Sequence, residues 1–225
     1  GLGELLTSRR SFVDAALARV YGVSAPRGGG FGPVELPAER AGLLTQASVL
    51  SVLARTDVNS VVARGLFVRG NLLCLPKIPG PPASVQAQVS MQLDSKSSQR
   101  DLAMYRAETT PCSGCHQQFD RFGLLLESYD PIGRFDSDEA EAVDFSGLMP
   151  LSGTFSDVAA LTERFAEDAM FERCFSDRTL SYALSIANNS QLLCLDAQPS
   201  AETSDATIRD LVLAIAESPS FNSRS

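Results

Sequence analysis

The residues of this chain that can do chemistry are concentrated in one run, Cys112-Ser113-Gly114-Cys115-His116, which contains the only histidine of the sequence. The C-x-x-C-H spacing is the attachment signature of c-type haem. Residues three apart share a face of a helical turn, so Cys112 and Cys115 can both form thioether bonds to one porphyrin edge, and His116 can bind the iron as proximal ligand. The run therefore predicts one covalently bound haem c with its iron.

Two other uses of this spacing are weaker interpretations. A structural zinc site takes four Cys or His ligands, whereas the other cysteines are scattered and offer no second paired spacing; they are Cys74, Cys174 and Cys194. A thioredoxin-like redox pair opens a helix after a strand in a βαβ unit. Here Thr110-Pro111 precedes the motif, and no such unit surrounds it. Haem attachment is the favoured interpretation.

The second axial ligand of the iron determines which chemistry such a site performs. Methionine opposite histidine is a pairing of cytochromes c and raises the reduction potential. We favour Met149, because Gly147-Leu148-Met149-Pro150 is typical of a loop that can present sulfur to the open haem face. Phe119 and Phe122 are predicted to wall the porphyrin, and Tyr105 to lie close to it. The other methionines that could serve are Met91, Met104 and Met170.

A different sixth position leads to a different class of protein. If that position is open or weakly held, Tyr105, Arg121 and Arg134 become candidate distal polar groups of a haem enzyme of peroxidase or oxygenase type. A third interpretation is a structural subunit whose haem stabilises the fold within a larger complex. No substrate and no catalytic residue can be named from the sequence. Single-haem electron transfer is the leading interpretation.

The composition excludes several classes of partner. The formal charge is −8 and 44% of the residues are hydrophobic, with a pI near 4.7. Nucleic acids and anionic membranes attract basic surfaces, so neither is an expected partner. No run of about 18 apolar residues exists, which excludes a membrane span. A redox partner protein that docks on an acidic surface is compatible with these values.

Hydrophobic periodicity and turn residues predict a mainly α fold. We expect a helical c-type haem domain with a short β-hairpin around Phe135, Val143 and Phe145, and a C-terminal helical subdomain. A proline-rich connector covers residues 76–82. Helices are predicted from Ser8 or Ser11 to Val20 and over 38–55, 59–74, 96–109, 156–167, 170–187 and 204–217. The corresponding regions are 1–75, a helical segment that completes a preceding domain; 76–150, the haem-binding region; and 151–225, the C-terminal subdomain.

The remaining cysteines predict a disulfide. Cys174 and Cys194 enclose about 20 residues, and a bridge between them would contribute roughly 3 kcal/mol in an oxidising compartment. Cys74 is then left over, either buried and inert or paired outside the chain. On the helix before it, Arg64 and Arg69 either pair with haem propionates or are solvated surface charges.

Several short stretches together resemble a known family. Arg64-Gly65-Leu66-Phe67-Val68-Arg69, the C-x-x-C-H motif, and Leu126-Glu127 followed by Asp130 and Gly133-Arg134 are similar to the C-terminal half of planctomycete- and myxobacteria-type c-type cytochromes built from uncharacterised domains. The resemblance implies a secreted or periplasmic haem protein larger than this chain. Tyr105 stands where many members have a histidine, and this departure argues against bis-histidine ligation.

The location of haem attachment leads to a last expectation. Covalent attachment takes place outside the cytoplasm, and the sequence opens at Gly1 without a signal peptide. We therefore expect a periplasmic or extracellular protein processed from a longer precursor. An N-terminal portion of that precursor, or another subunit, is predicted to contact residues 1–75.

Overall fold

The computed structural model of the chain describes residues 1–56, 58–83, 98–148, 151–185 and 207–222. The fold is mainly α, as predicted. The α-helices are α1 Glu4–Thr7, α2 Ala15–Tyr21, α3 Ala47–Val52, α4 Val61–Phe67, α5 Gln99–Glu108, α6 Ser113–His116, α7 Asp120–Leu125, α8 Val158–Ala166, α9 Ala169–Ala183, α10 Ile208–Glu217 and α11 Pro219–Asn222. Short 3-10 helices cover Leu43–Thr45 and Ser137–Glu139, and a π-helix, Val68–Leu72, directly continues α4.

Two small antiparallel sheets complete the architecture. Strand β1, Arg10–Val13, pairs with β2, Gly32–Glu35, so that Val13 lies opposite Gly32. Strand β3, Val143–Asp144, pairs with β4, Thr154–Phe155. Within the described ranges, no helix is both long and apolar enough to cross a membrane.

One large hydrophobic core joins elements from the beginning, middle and end of the chain. Phe122 lies inside it, with its ring centroid 5.1 Å from that of Phe145 and 6.1 Å from that of Phe165. Leu6 and Phe171 are buried in the same cluster. Side chains from all three regions named above therefore share this core.

A close crossing of α4 and α7 sets the position of the motif that follows α5. A Cβ at Gly65 would overlap the carbonyl oxygen of Phe119, and a Cβ at Gly123 would overlap that of Val61. Residue numbers rise along α4 as they fall along α7, so the two helices run antiparallel. Only glycine at both positions permits this approach of the backbones.

Hydrogen bonds from the buried side chain of Arg64 stabilise this crossing. Its guanidinium is fully buried and donates to the carbonyl oxygens of Leu126 at 2.6 Å, Tyr129 at 2.7 Å and Asp130 at 3.0 Å. Burial lowers the pKa of Arg64 to about 10. Both expectations for Arg64, a propionate partner or a solvated charge, are wrong, because its donors satisfy the last carbonyls after α7.

The N-terminal helix is the main correction to the predicted elements. Residues 10–13 form β1, and α2 begins only after Asp14, whose carboxylate accepts from the Leu17 N–H at 2.8 Å. Neither Ser8 nor Ser11 is the cap. Gly22 ends the helix in the left-handed conformation. Pairing with β2, a contact distant in sequence, overrides the local helical pattern here.

The predicted hairpin has a different pairing from the one expected. Val143 lies opposite Phe155, whereas Phe135 forms an isolated bridge with Tyr129. Phe145 is buried beyond the end of β3. The strand partner of Val143 therefore follows the Met149 loop in sequence and is not the segment around Phe135.

The predicted disulfide is also wrong. Cys174 is bonded to Cys74, with the two Cα atoms 5.3 Å apart and a sequence separation of 100. The π-helix packs against α9 and brings the two cysteines together. Cys74 is therefore not left over, and Cys194 lies outside the described residues.

Candidate functional site

The C-x-x-C-H motif forms a single helical turn. The N–H of Cys115 donates to the carbonyl oxygen of Cys112 at 3.2 Å, and the N–H of His116 donates to the same oxygen at 3.0 Å. Cys112 is buried, with 7% of its surface exposed, and Cys115 is partly buried. Neither thiol is in a disulfide. The turn thus holds two unpaired thiols three residues apart, as the spacing requires.

A buried carboxylate orients the imidazole of His116. Nδ1 lies 2.9 Å from Oδ2 of Asp120, and Asp120 is only 2% exposed. A carboxylate accepts hydrogen bonds, so this contact places the ring proton on Nδ1 and leaves the lone pair on Nε2 for a ligand. The histidine side chain keeps 20% exposure, which leaves its ring accessible. Asp120 therefore fixes both the tautomer and the direction of His116.

Phe119 contacts the imidazole of His116, and two glutamine side chains fix the helical turn that carries it. The ring of Phe119 lies 5.0 Å from that of His116, centroid to centroid. The amide of Gln117 donates to the carbonyl oxygen of Ala107 on α5 at 2.7 Å, and that of Gln118 donates to Gly114 at the same distance. Helix α5 begins with a capping box built by Ser98. These contacts hold the motif between α5 and α7.

The predicted wall residues occupy different environments. Phe119 is at the motif, in contact with His116, whereas Phe122 lies one turn further along the chain in the shared aromatic core. Tyr105 is partly buried on α5, the helix that packs on the motif. The structure therefore brings Phe119 to the candidate ligand and places Phe122 behind it.

The candidate sixth ligands are not equally placed. Met149, like Met91, lies outside the described residues. Met104 is 55% exposed on α5, and Met170 packs partly buried against the core. The loop that leads to residue 149 is tethered to α7, because Arg121 donates to the carbonyl oxygen of Ser146 at 2.7 Å. The chain just before Met149 thus lies beside the helix that carries Asp120.

The side chains proposed as distal polar groups have ordinary environments. Arg121 is engaged with the Ser146 carbonyl. Arg134 is exposed, and its N–H donates to the Asp130 carboxylate in a turn. Within the described ranges, no group of three or more His, Cys, Asp or Glu residues could hold a bare metal ion. The donor set at the motif, two thiols and one oriented imidazole, fits a covalently bound haem.

Sequence reasoning overlooked the role of Asp120. A helical spacing of four residues places it on the same face as His116, so the i, i+4 relation was a usable signal. One of its oxygens, Oδ1, is buried and has no hydrogen-bond partner among the described residues. A buried carboxylate with a single polar contact costs stability. This cost, at a side chain in contact with the only histidine, makes Asp120 a candidate functional residue.

Comparison with known proteins adds a coarse assignment. Residues 40–139 match the family model described as PSCyt3, a protein of unknown function (DUF1588). The name suggests planctomycete cytochrome-type domains, and the match includes the C-x-x-C-H motif together with α4 and α7. The searches of curated proteins and of solved structures found no match. Residues 40–139 are therefore similar to a family of unknown function whose name suggests a cytochrome-type domain.

Proposed function

We propose that the chain is a single-haem c-type cytochrome module that transfers electrons. The observation that carries the proposal is the C-x-x-C-H turn, with both thiols outside any disulfide and His116 held by a buried carboxylate. Chance placement of a C-x-x-C-H does not supply a buried partner for its histidine. The match of residues 40–139 to a family whose name suggests cytochrome-type domains supports the same conclusion.

Each residue of the motif has a distinct role in this proposal. Cys112 and Cys115 would hold the porphyrin as thioethers, and His116 would bind the iron through Nε2. Asp120 accepts a hydrogen bond from Nδ1 and orients the ring. Met149 is the proposed sixth ligand, supported by the tether between its loop and α7. When bound, haem supplies an iron that exchanges one electron between two oxidation states.

The compartment and partners follow from the same proposal. A disulfide between Cys74 and Cys174 is typical of the periplasm or the extracellular space. The acidic charge of the chain favours docking to a basic redox partner protein. We also propose contact with an N-terminal portion of the same precursor or with another subunit.

A second function is favoured by one observation, the carboxylate behind His116. A strong hydrogen bond to Nδ1 raises the basicity of the ligating histidine and stabilises the more oxidised state of a bound iron. This arrangement suits a haem enzyme of peroxidase type with an open sixth position. The residue that occupies the sixth position separates the two functions.

Covalent attachment is the first test. The chain is expressed with export and with a cytochrome c maturation system, and its intact mass is measured after denaturation. We expect the added mass of one haem, no haem loss into acidic acetone, and loss of the added mass in the double variant Cys112→Ala with Cys115→Ala. Cys194→Ala is the matched control and should keep the haem. An unmodified wild-type mass would refute the proposal.

The sixth position is the second test. The ferric absorption spectrum of wild type should be low-spin and become high-spin in Met149→Ala, while Met104→Ala, the exposed control, leaves it unchanged. A high-spin wild-type spectrum with peroxide turnover would support the enzyme instead. In either case, Asp120→Asn should raise the reduction potential, because the variant loses the charge that favours the oxidised iron; the exposed control Asp138→Asn should not.

A further inference from the structure

A cavity of about 650 Å³ lies beside the disulfide. The end of α4, the π-helix, the start of the proline-rich connector and α9 form its walls. Its apolar lining includes Leu66, Leu75 and Ile78. Its charged lining consists of Arg69, Lys77 and Arg178. The cavity therefore combines apolar surface with three cationic side chains.

Among the described residues, no negative charge balances these cations. No described carboxylate lines the cavity, and none of the three cations forms an ion pair there. The protein as a whole carries a formal charge of −8, so three unpaired cations in one place run against its overall composition. Like charges brought together repel, which makes such a cluster costly without an anion.

Hydrogen bonds to backbone carbonyl oxygens hold the guanidinium groups of Arg69 and Arg178 in position, but these bonds do not use all of their donors. Arg178 donates to the carbonyl oxygen of Gly70 at 2.8 Å, and Arg69 donates to that of Pro76 at 3.3 Å. Nε of Arg69 is buried and has no hydrogen-bond partner among the described residues. Burial also lowers the pKa of Arg69, because its environment disfavours the positive charge. An anionic group beside the guanidinium would offset the cost of burying this charge.

The disulfide braces the same walls. Cys74 lines the cavity, and its partner Cys174 lies one helical turn before Arg178 on α9. The covalent bond therefore fixes the distance between the wall that carries Arg69 and the wall that carries Arg178. Such bracing pre-organises cationic donors for a ligand.

We propose that this cavity binds a small organic anion, with its carboxylate or phosphate group held by Arg69, Lys77 and Arg178 and its apolar portion against Leu66 and Ile78. Guanidinium groups bind both head groups through charge-assisted hydrogen bonds. None of the lining residues belongs to the C-x-x-C-H motif or to α7. The inference is therefore independent of haem attachment.

Calorimetric titration of the intact, purified chain tests the proposal with four probes. Octanoate and octyl phosphate carry the two head groups on one apolar chain, inorganic phosphate lacks the chain, and octanol lacks the charge. We expect at least one amphipathic anion to bind more tightly than inorganic phosphate and octanol. The one that binds identifies the head group.

Variants locate the binding. Lys77→Gln changes an exposed side chain, so it keeps the test valid if Arg178→Gln fails to fold. Each should weaken the bound anion by about tenfold. Arg173→Gln, an exposed arginine on α9, is the matched control and should bind as wild type does.

Three affinity results would overturn the proposal. The first is that neither amphipathic anion binds to wild type. The second is that the anion binds to wild type and to Lys77→Gln with equal affinity. The third is that octanol binds as tightly as the anions. A shift of the haem absorption band that accompanies binding and survives in Lys77→Gln would place the anion at the iron and would equally refute it. Failure here leaves the haem mass measurement untouched, so the two proposals fail separately.

Discussion

Removal of the Cys74–Cys174 disulfide should cost a large part of the stability of the fold. The bond closes a loop of 100 residues, and the chain-entropy model gives ~4.7 kcal/mol for a loop of this length at 25 °C. Cys174 is 2% exposed, so its replacement by alanine also removes some core contact. Native domains are stable by about 5–15 kcal/mol. The double variant Cys74→Ala with Cys174→Ala should therefore be close to the limit of folding.

Urea unfolding followed by circular dichroism measures this loss. Reductant should move the unfolding of wild type to a lower urea concentration. The double variant, which also lacks the buried Cys174 sulfur, should unfold at that concentration or somewhat below it, and reductant should not change the variant further. Cys194→Ala is the control, and its free energy of unfolding should stay within about 0.5 kcal/mol of wild type. A double variant within about 1 kcal/mol of wild type, or a mapped disulfide between Cys174 and Cys194, would refute the reasoning.

Two further substitutions test the frame around the motif. Gly123→Ala should destabilise the fold by about 3 kcal/mol or more in urea unfolding, because the added Cβ meets the backbone of α4. Gly114→Ala is the control and should cost under about 1 kcal/mol, because the space around Gly114 is open. Equal costs would contradict the close crossing of α4 and α7. Burial raises the pKa of Glu127 above 4.5, against the opposing charge of Arg100. The folded state therefore binds the proton of the Glu127 carboxyl more tightly than the unfolded state does. Wild type should then lose stability relative to Glu127→Gln as pH rises above about 4.5. If the stability of wild type instead rises relative to Glu127→Gln with increasing pH, the ion pair between Glu127 and Arg100, at 3.5 Å, outweighs the effect of burial.

Helices with their own local signals were predictable from the sequence. The expected helices over 96–109, 156–167 and 170–187 correspond to α5, α8 and α9, with ends shifted by a few residues. Their caps, Ser98, Asp157 and Asp168, each accept a hydrogen bond from the first turn. A capping side chain and an apolar stripe act within one segment, so a single sequence displays them.

Features that depend on distant segments were not predictable in the same way. Strand β1 exists because residues 32–35 pair with it, and Cys174 meets Cys74 because α9 packs on the π-helix. Arg64 looks like a surface charge in sequence, yet it finds its acceptors more than sixty residues away. Burial of a guanidinium is tolerated only where several carbonyl oxygens converge, and the sequence does not show where they converge.

The position of His116 is a consequence of the core rather than of the motif alone. Gly65 and Gly123 permit the close crossing of α4 and α7, and Arg64 fixes the end of that crossing. Helix α7 begins at Asp120, so the carboxylate that orients His116 is placed by contacts made elsewhere. The cavity lies along the π-helix that continues α4. A substitution that opens the crossing should therefore disturb the imidazole and the anion site together, although no atom of either is changed.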